Sequence, residues 1–175
     1  MDVDQAVPES VTPGRGVRES MLIDSLQIYL TSVPAIVAAV GTPATRSDRM
    51  SGIFPMLAPD AASIPYIVLQ QMTGLPLITL DGFNRFVSSR WRFSVYGSPY
   101  KPTKLLAKLL KDAMTGIPLG VSLPPVTLSA NGGVSIVIQA VVPVMLDVDD
   151  AEEIPHGTIF GVHNDFVIAF IDNEG

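Results

Sequence analysis

Residues 64–97 read IPYIVLQQMTGLPLITLDGFNRFVSSRWRFSVYG and contain two β-type segments that meet at Asp81-Gly82. An Asp-Gly pair between such segments is a strong hairpin signal, because glycine tolerates the positive φ of a tight turn. In the second segment Trp91, Phe93 and Val95 alternate with polar residues, which is typical of a strand with one face on a core. The stretch therefore predicts an antiparallel hairpin at the centre of the fold.

Helical periodicity is present on both sides of this hairpin. Ser20 is the predicted N-cap of a first amphipathic helix, and Pro34 opens a further helical turn that ends at Gly41. A lysine-rich helix is predicted from Pro102 to Gly116. The predicted strands are Ile53-Phe54, 64–73, 83–96, 126–128, 134–146 and 157–171, with an acidic loop after residue 146. These elements predict an α+β fold, in which a mostly antiparallel β-sheet packs against two helices and a β-hairpin projects.

The domain organisation follows from length and from the composition of the N-terminal segment. A chain of 175 residues is long enough for one compact domain, which we expect at residues 21–175. Residues 1–20 carry Pro8, Pro13 and Gly14 without apolar periodicity, so they predict an extended arm that has no core of its own.

The composition is apolar for a protein that stays dissolved as a monomer, with 47% hydrophobic residues, 16% charged residues and a mean hydropathy of +0.39. A membrane is not the expected destination of this apolar surface. The longest apolar run, residues 136–146, is interrupted by Gln139 and Pro143 and is about half of the ~20 residues of a spanning helix. The acidic start, MDVD, is unlike a secretory signal. We therefore expect another protein surface to cover the apolar excess.

The predicted hairpin is the clearest candidate for that contact. Hairpin tips normally face water, yet this one is surrounded by large apolar residues. Such a projection fits insertion into another subunit better than it fits catalysis. The predicted assembly residues are Leu75, Leu77, Ile78, Leu80, Phe83 and Phe86.

Charge is distributed unevenly along the chain. Residues 1–111 hold all 11 Lys and Arg and eight acids, whereas residues 112–175 hold nine acids and neither Lys nor Arg. The acidic part of one copy could face the basic part of the next, or the acids could line the lumen of a ring, or they could form a solvated loop. The candidate inter-subunit or lumen charges are Arg90, Arg92, Asp149, Asp150, Glu152 and Glu153. The net charge of −6 argues against tight binding of nucleic acid.

Residues for catalysis are scarce. Without cysteine the chain has neither disulfides nor thiolate metal ligands, and it lacks both a Gly-x-Ser-x-Gly elbow and a phosphate-binding glycine loop. His156 and His163 are seven residues apart, which matches no standard pair of helical metal ligands. We expect no catalytic, cofactor or metal site, and the alternative of a small enzyme or ligand-binding domain would require a polar pocket around one of these histidines.

The order of these motifs resembles that of the tail-completion, or tail-terminator, proteins of long-tailed bacteriophages. The similar segments are MLIDSLQIYLTSVPAIVAAVG from Met21, then RMSGIFP, PYIVLQQMTG, the hairpin, RWRFSVYG and SPYKPTKLLAKLLKDAMTGIP. The resemblance covers residues 21–117 and, more loosely, the final strand at 158–172. Residues 1–20 and the long segment 112–157 depart from the family pattern, which leaves the contacts of both ends open.

The resemblance implies a virion protein without enzymatic activity and without a cofactor. Proteins of this family form a hexameric ring on the last ring of the tail tube, stop tube growth and present the surface that joins the head. The implied partners are other copies of the chain, the tail tube protein and a head–tail connector or neck protein, with DNA passing through the lumen without specific binding. The implied location is the neck end of the virion tail, after assembly in the cytoplasm of the bacterial host. A head-to-tail neck adaptor is the alternative within the same class.

Overall fold

The computed structural model describes residues 15–47, 50–79, 82–116, 126–129, 135–154 and 157–173. The helices are α1 (Arg15–Ser32), α2 (Pro34–Val40) and α3 (Tyr100–Gly116). The strands are β1 (Ile53–Pro55), β2 (Tyr66–Thr79), β3 (Gly82–Gly97), β4 (Val126–Ser129), β5 (Ser135–Ile154) and β6 (Gly157–Asn173). The α+β prediction is confirmed, and the helical turn expected after Pro34 is the short helix α2.

The strands form a six-stranded sheet in the order β1-β2-β3-β6-β5-β4. β1 pairs with β2 in parallel, and every other neighbouring pair is antiparallel. The core lies between one face of this sheet and the helices, because alternate residues of each strand point to the same side. Its largest fully buried side chains are Trp91, Phe93, Phe166, Phe170, Ile53, Ile67 and Leu69 from the sheet, with Leu22, Leu26, Leu30, Ile36 and Leu106 from the helices.

Helices α1 and α2 supply much of this core across a sharp bend. Within the described ranges no single helix is long and apolar enough to cross a membrane. Leu22–Ser32 and Pro34–Val40 meet that criterion only as a pair, and they are bent by 88°. Pro34 begins α2, and Gly41 ends it at a φ of 89°, which glycine adopts without strain.

The start of α1 corrects the predicted N-cap at Ser20. The helix begins at Arg15, so residues 15–20 are helical and the predicted arm extends no further than residue 14. Apolar periodicity in the sequence could not show that α1 starts at Arg15, because such periodicity marks only the part of a helix that packs on a core. Arg and Glu in the first turns favour a helix by propensity alone. Residues 1–14 lie outside the described ranges.

The acidic segment after residue 146 is a second correction, because it is part of β5 and not a loop. Asp149 lies opposite Val162, and the pairing continues to Ile154 opposite Gly157. Asp and Glu are uncommon in strands, which favoured the loop prediction. Here the carboxylates of Asp150 and Glu152 are exposed while the backbone pairs, so both can stay hydrated.

The predicted central hairpin is formed by β2 and β3. Its register places Tyr66 opposite Tyr96 and Thr79 opposite Gly82. β3 joins β6 from Phe86, opposite Ile171, so residues 82–85 extend past the β3–β6 ladder, and Gly82 and Phe83 of this segment pair with β2. Leu75, Leu77 and Ile78 belong to β2, Phe83 and Phe86 belong to β3, and Leu80 lies outside the described residues.

Candidate functional site

The face of the sheet opposite the helices, called here the outer face, carries a row of polar side chains. It includes Arg90, Arg92 and Ser94 of β3 with His163 and Asp165 of β6. Arg92 lies opposite Asp165, and Ser94 lies opposite His163. Directly opposite residues share a face, so the antiparallel register brings these groups together.

Asp165 is fully buried between two arginines of its own chain. Arg92 donates from Nε to Oδ1 at 2.8 Å and from an Nη atom to Oδ2 at 3.1 Å. Arg90 donates to Oδ2 from Nε at 3.1 Å and from an Nη atom at 2.5 Å. The side chain of Asp165 has 0% exposure, whereas Arg90 and Arg92 retain 36% and 28%. A buried carboxylate is thus neutralised by two cations whose outer parts still reach solvent.

The pKa shifts of Asp165 and Arg92 both favour an ionised Asp165 carboxylate. Burial acts to raise the pKa of Asp165, but the hydrogen bonds and charges of Arg92 and Arg90 outweigh it and hold the pKa below its ordinary value. The hydrogen bond to Asp165 raises the pKa of Arg92. The cluster is therefore a permanent set of ion pairs at neutral pH.

His163 extends the polar row beyond the arginines. Its Nδ1 is 2.8 Å from the Ser94 hydroxyl, and its ring meets Tyr96 edge-on at 5.9 Å. Burial lowers the pKa of His163, the charge of Arg92 lowers it further, and Asp150 and Asp165 act in the opposite direction. His163 is therefore neutral in the folded chain at pH values where an exposed histidine would begin to titrate.

We expect acidification below the ordinary histidine pKa of 6.5 to lower the free energy of unfolding through His163. The unfolded chain binds a proton there before the folded chain does, so stability is full above 6.5 and decreases as pH falls toward the depressed folded pKa. Urea unfolding at neutral and mildly acidic pH measures this loss. The variant His163→Gln should lose less stability over the same interval, and an equal loss would contradict the assignment. The Asp165 contribution is lost at lower pH, below 3.8.

A second set of charges joins α3 to β5. Lys111 Nζ is 2.9 Å from a carboxylate oxygen of Asp147, and Lys104 Nζ is 2.6 Å from one of Asp149. Tyr100 donates its hydroxyl to Asp149 at 2.8 Å. The hydrogen bond from Lys104, followed by that from Tyr100, lowers the pKa of Asp149. From Asp147 to Asp149 the contacts of β5 move from Lys111 back to Lys104 and Tyr100. β5 therefore runs antiparallel to α3, toward the first turn of the helix.

A bulge in β5 makes these contacts possible. The register with β6 shifts between Pro143 and Met145 and again between Met145 and Val148. Asp147 has a φ of 58°, and its backbone N–H donates to the buried Asn164 side chain at 2.9 Å. The extra residues of the bulge turn Asp147 toward the lysines of α3.

Beyond the contact of Asp149 with Lys104, β5 and β6 continue as a hairpin that was not predicted from the sequence. β3 ends at Gly97, opposite Phe160, so residues 157–159 pair with β5 without a further described neighbour. We call residues 150–154 and 157–159 the acidic hairpin, because Asp150, Glu152 and Glu153 lie in it. Within the described part of the chain these three carboxylates have no cationic partner.

The predicted charges thus fall into three environments. Arg90 and Arg92 bind Asp165, Asp149 binds Lys104 and Tyr100, and the remaining three acids are exposed on the acidic hairpin. Their roles between subunits or in a lumen stay predictions. His156 lies outside the described residues, and the described residues contain no group of His, Asp and Glu arranged to hold a metal ion. The pairing of Asp165 with the arginines was not predicted from the sequence, where Asp165 follows His163 and Asn164 and carries no distinguishing signal.

A solved structure described as the virion of a native gene transfer agent (GTA) particle contains a chain that is similar in fold to this one. The two chains are 14% identical, and the match has a TM-score of 0.59. It covers 87% of this chain and 96% of that chain, so nearly the whole fold is shared. No protein-family model matches the sequence, and no curated protein matches it.

Proposed function

We propose that this chain is a structural virion protein that caps the phage-like tail tube as a ring, terminates tail growth and provides the surface that joins the head. The observation that carries the proposal is the fold likeness to a chain of a gene transfer agent virion over 87% of this chain. The order of motifs described above supports the same role, because it resembles that of tail terminators. Neither line of support requires a catalytic group.

The sheet also offers edges that suit assembly with other copies. Within the described residues, β4 pairs with β5 only along residues 135–138, and β1 pairs with β2 only along residues 67–69. Long unpaired edges are normally protected in soluble proteins, since they can pair with another chain. Here β5 also exposes a series of apolar side chains: Val142, Val144, Leu146 and Val148, each at 37–51% exposure. Burial against a neighbouring copy would remove this apolar surface from water.

The central hairpin supplies the proposed contact with the tail tube. Residues 82–85 extend past the β3–β6 ladder, so the hairpin can reach a separate protein without disturbing the core. Burying a Leu or Phe there would contribute roughly 1.5–3 kcal/mol per side chain before ordering costs. We propose that Leu75, Leu77, Ile78, Leu80, Phe83 and Phe86 provide this contact.

Addition of the purified chain to polymerising tail tube protein tests the proposal. We expect the tubes to become shorter as the ratio of chain to tube protein rises, because a capped end can no longer accept subunits. Tube length is read by negative-stain electron microscopy. The variant Leu80→Asp with Phe83→Asp should lose this effect, since two carboxylates would have to be buried in the contact.

A matched control places the same charges elsewhere. Met56→Asp with Leu57→Asp alters two apolar side chains that are 57% and 77% exposed outside the hairpin, and it should retain the effect on tube length. Tubes of unchanged length with the unmodified chain would contradict the proposed function. Loss of capping by both double variants would contradict the role of the hairpin.

A further inference from the structure

Within the described residues the acidic hairpin has no ion pair with its own helix α3. β5 passes Lys111 at Asp147 and Lys104 at Asp149, and it then continues beyond the first turn of α3. Asp150, Glu152 and Glu153 therefore follow the last described ion pair between β5 and α3. No Lys or Arg follows Lys111 in the sequence, so the hairpin and its flanking strands contribute only negative charge.

The opposite surface lies along α3 itself, on a groove that we call the lysine groove. It has a volume of about 390 Å³ and is lined by Tyr100, Lys101, Lys104, Leu105, Lys108, Lys111 and Asp147. Leu105 of this groove is 60% exposed, although leucine is normally buried. Lys101 has no acidic partner within the described residues, and Lys108 binds only the exposed Asp112 of the next turn. Exposed pairs of that kind are weak and are easily exchanged.

We propose that the acidic hairpin of one copy docks in the lysine groove of the next copy. This inference rests on the ring of the proposed function and names its subunit contact. Asp150, Glu152 and Glu153 would meet Lys101 and Lys108, and the hairpin would cover Leu105. The contact is head-to-tail, because the donor and acceptor surfaces are different parts of the chain, and repetition of such a contact can close a ring.

Charge and shape both support this choice of partner. A groove with several lysines favours an acidic occupant, and another copy of this chain presents three exposed carboxylates on a narrow hairpin. The exposed Leu105 adds an apolar side chain beside these lysines, and protein interfaces usually combine apolar and charged contacts. The same charges would keep two acidic hairpins apart, which disfavours a symmetric contact between hairpins.

Directed crosslinking tests the contact cleanly, because the natural chain contains no cysteine. Leu105→Cys marks the groove, and Glu153→Cys marks the hairpin. Asp60→Cys is the matched control, since it removes one exposed carboxylate far from both surfaces in sequence. Equal amounts of two single-cysteine full-length chains are mixed, and the rate of disulfide-linked dimer formation under mild oxidation is measured.

We expect the groove and hairpin variants to crosslink roughly tenfold faster than the groove and control variants, and raised salt should reduce the excess. Adding Lys101→Glu and Lys108→Glu to the groove variant should remove this difference in crosslinking rate. Adding Asp150→Lys and Glu152→Lys to the hairpin variant as well should restore it. Equal rates for the two mixtures, faster crosslinking between two hairpin variants, or an excess that survives charge reversal would each overturn the proposal.

This experiment is independent of the tube-capping test. Crosslinking uses the purified chain without tail tube protein, so a failure there removes the proposed subunit contact and leaves capping to be decided separately. Conversely, a chain that crosslinks as expected but leaves tube length unchanged would be a ring-forming protein with another role.

Discussion

Replacement of both Arg90 and Arg92 by methionine is expected to lower the free energy of unfolding by about 3–5 kcal/mol, because it leaves Asp165 buried and unpaired. The two arginines supply all the side-chain hydrogen bonds described for this carboxylate. Methionine keeps much of the length and apolar stem of arginine, so the packing over the sheet changes little. Urea unfolding of the double variant measures the loss.

A triple variant separates the effect of charge from that of packing. Arg90→Met and Arg92→Met combined with Asp165→Leu removes the buried charge together with both partners. Replacement of a buried ion cluster by apolar residues of similar size is often neutral or stabilising. The triple variant should therefore recover most of the lost stability. A triple variant as unstable as the double would show that the arginines stabilise the sheet by packing and not by neutralising Asp165.

The helices and the central hairpin could be predicted from sequence because their signals are local. Trp91, Phe93 and Val95 alternate along β3 just as the structure buries them, and Gly116 ends α3 where expected. The strands β2 and β3 pair antiparallel on either side of the position of the Asp-Gly pair. Each of these features depends on residues that are close together in the chain.

The polar cluster of the outer face could not be predicted, because it depends on the register of β3 with β6. Arg92 and Asp165 are 73 residues apart in sequence, and only their opposite positions in the sheet bring them together. A shift of one residue would have sent Asp165 into the core side of the sheet. From the sequence, the two arginines were candidates for charges between subunits or in a lumen, and nothing local indicated Asp165 as their partner.

The acidic hairpin was missed for a related reason. Carboxylates disfavour strands locally, but the backbone of residues 149–154 pairs with residues 157–162. The pairing partner decides the structure there, and local propensity does not. The asymmetry of charge was nevertheless visible in the sequence, and the structure adds where the uncompensated acids lie: on a hairpin that extends beyond β3.

Removal of the gene for this chain from a tailed particle system is expected to give the largest effect of all, an almost complete loss of particles in which heads and tails are joined. Addition of tube subunits is favourable at every open end, so the tube should continue past its normal length when no cap covers that end. The head-joining surface would be missing as well. Filled heads should therefore accumulate beside overlong tubes.

The most direct measurement is the length distribution of tails in such a lysate, taken by electron microscopy and compared with that of the parent. We expect tails that are longer and more variable than the parental ones and that are not attached to heads. Tails of normal length that fail to join heads would contradict termination and indicate a neck adaptor. Normal, fully joined particles would contradict both structural roles.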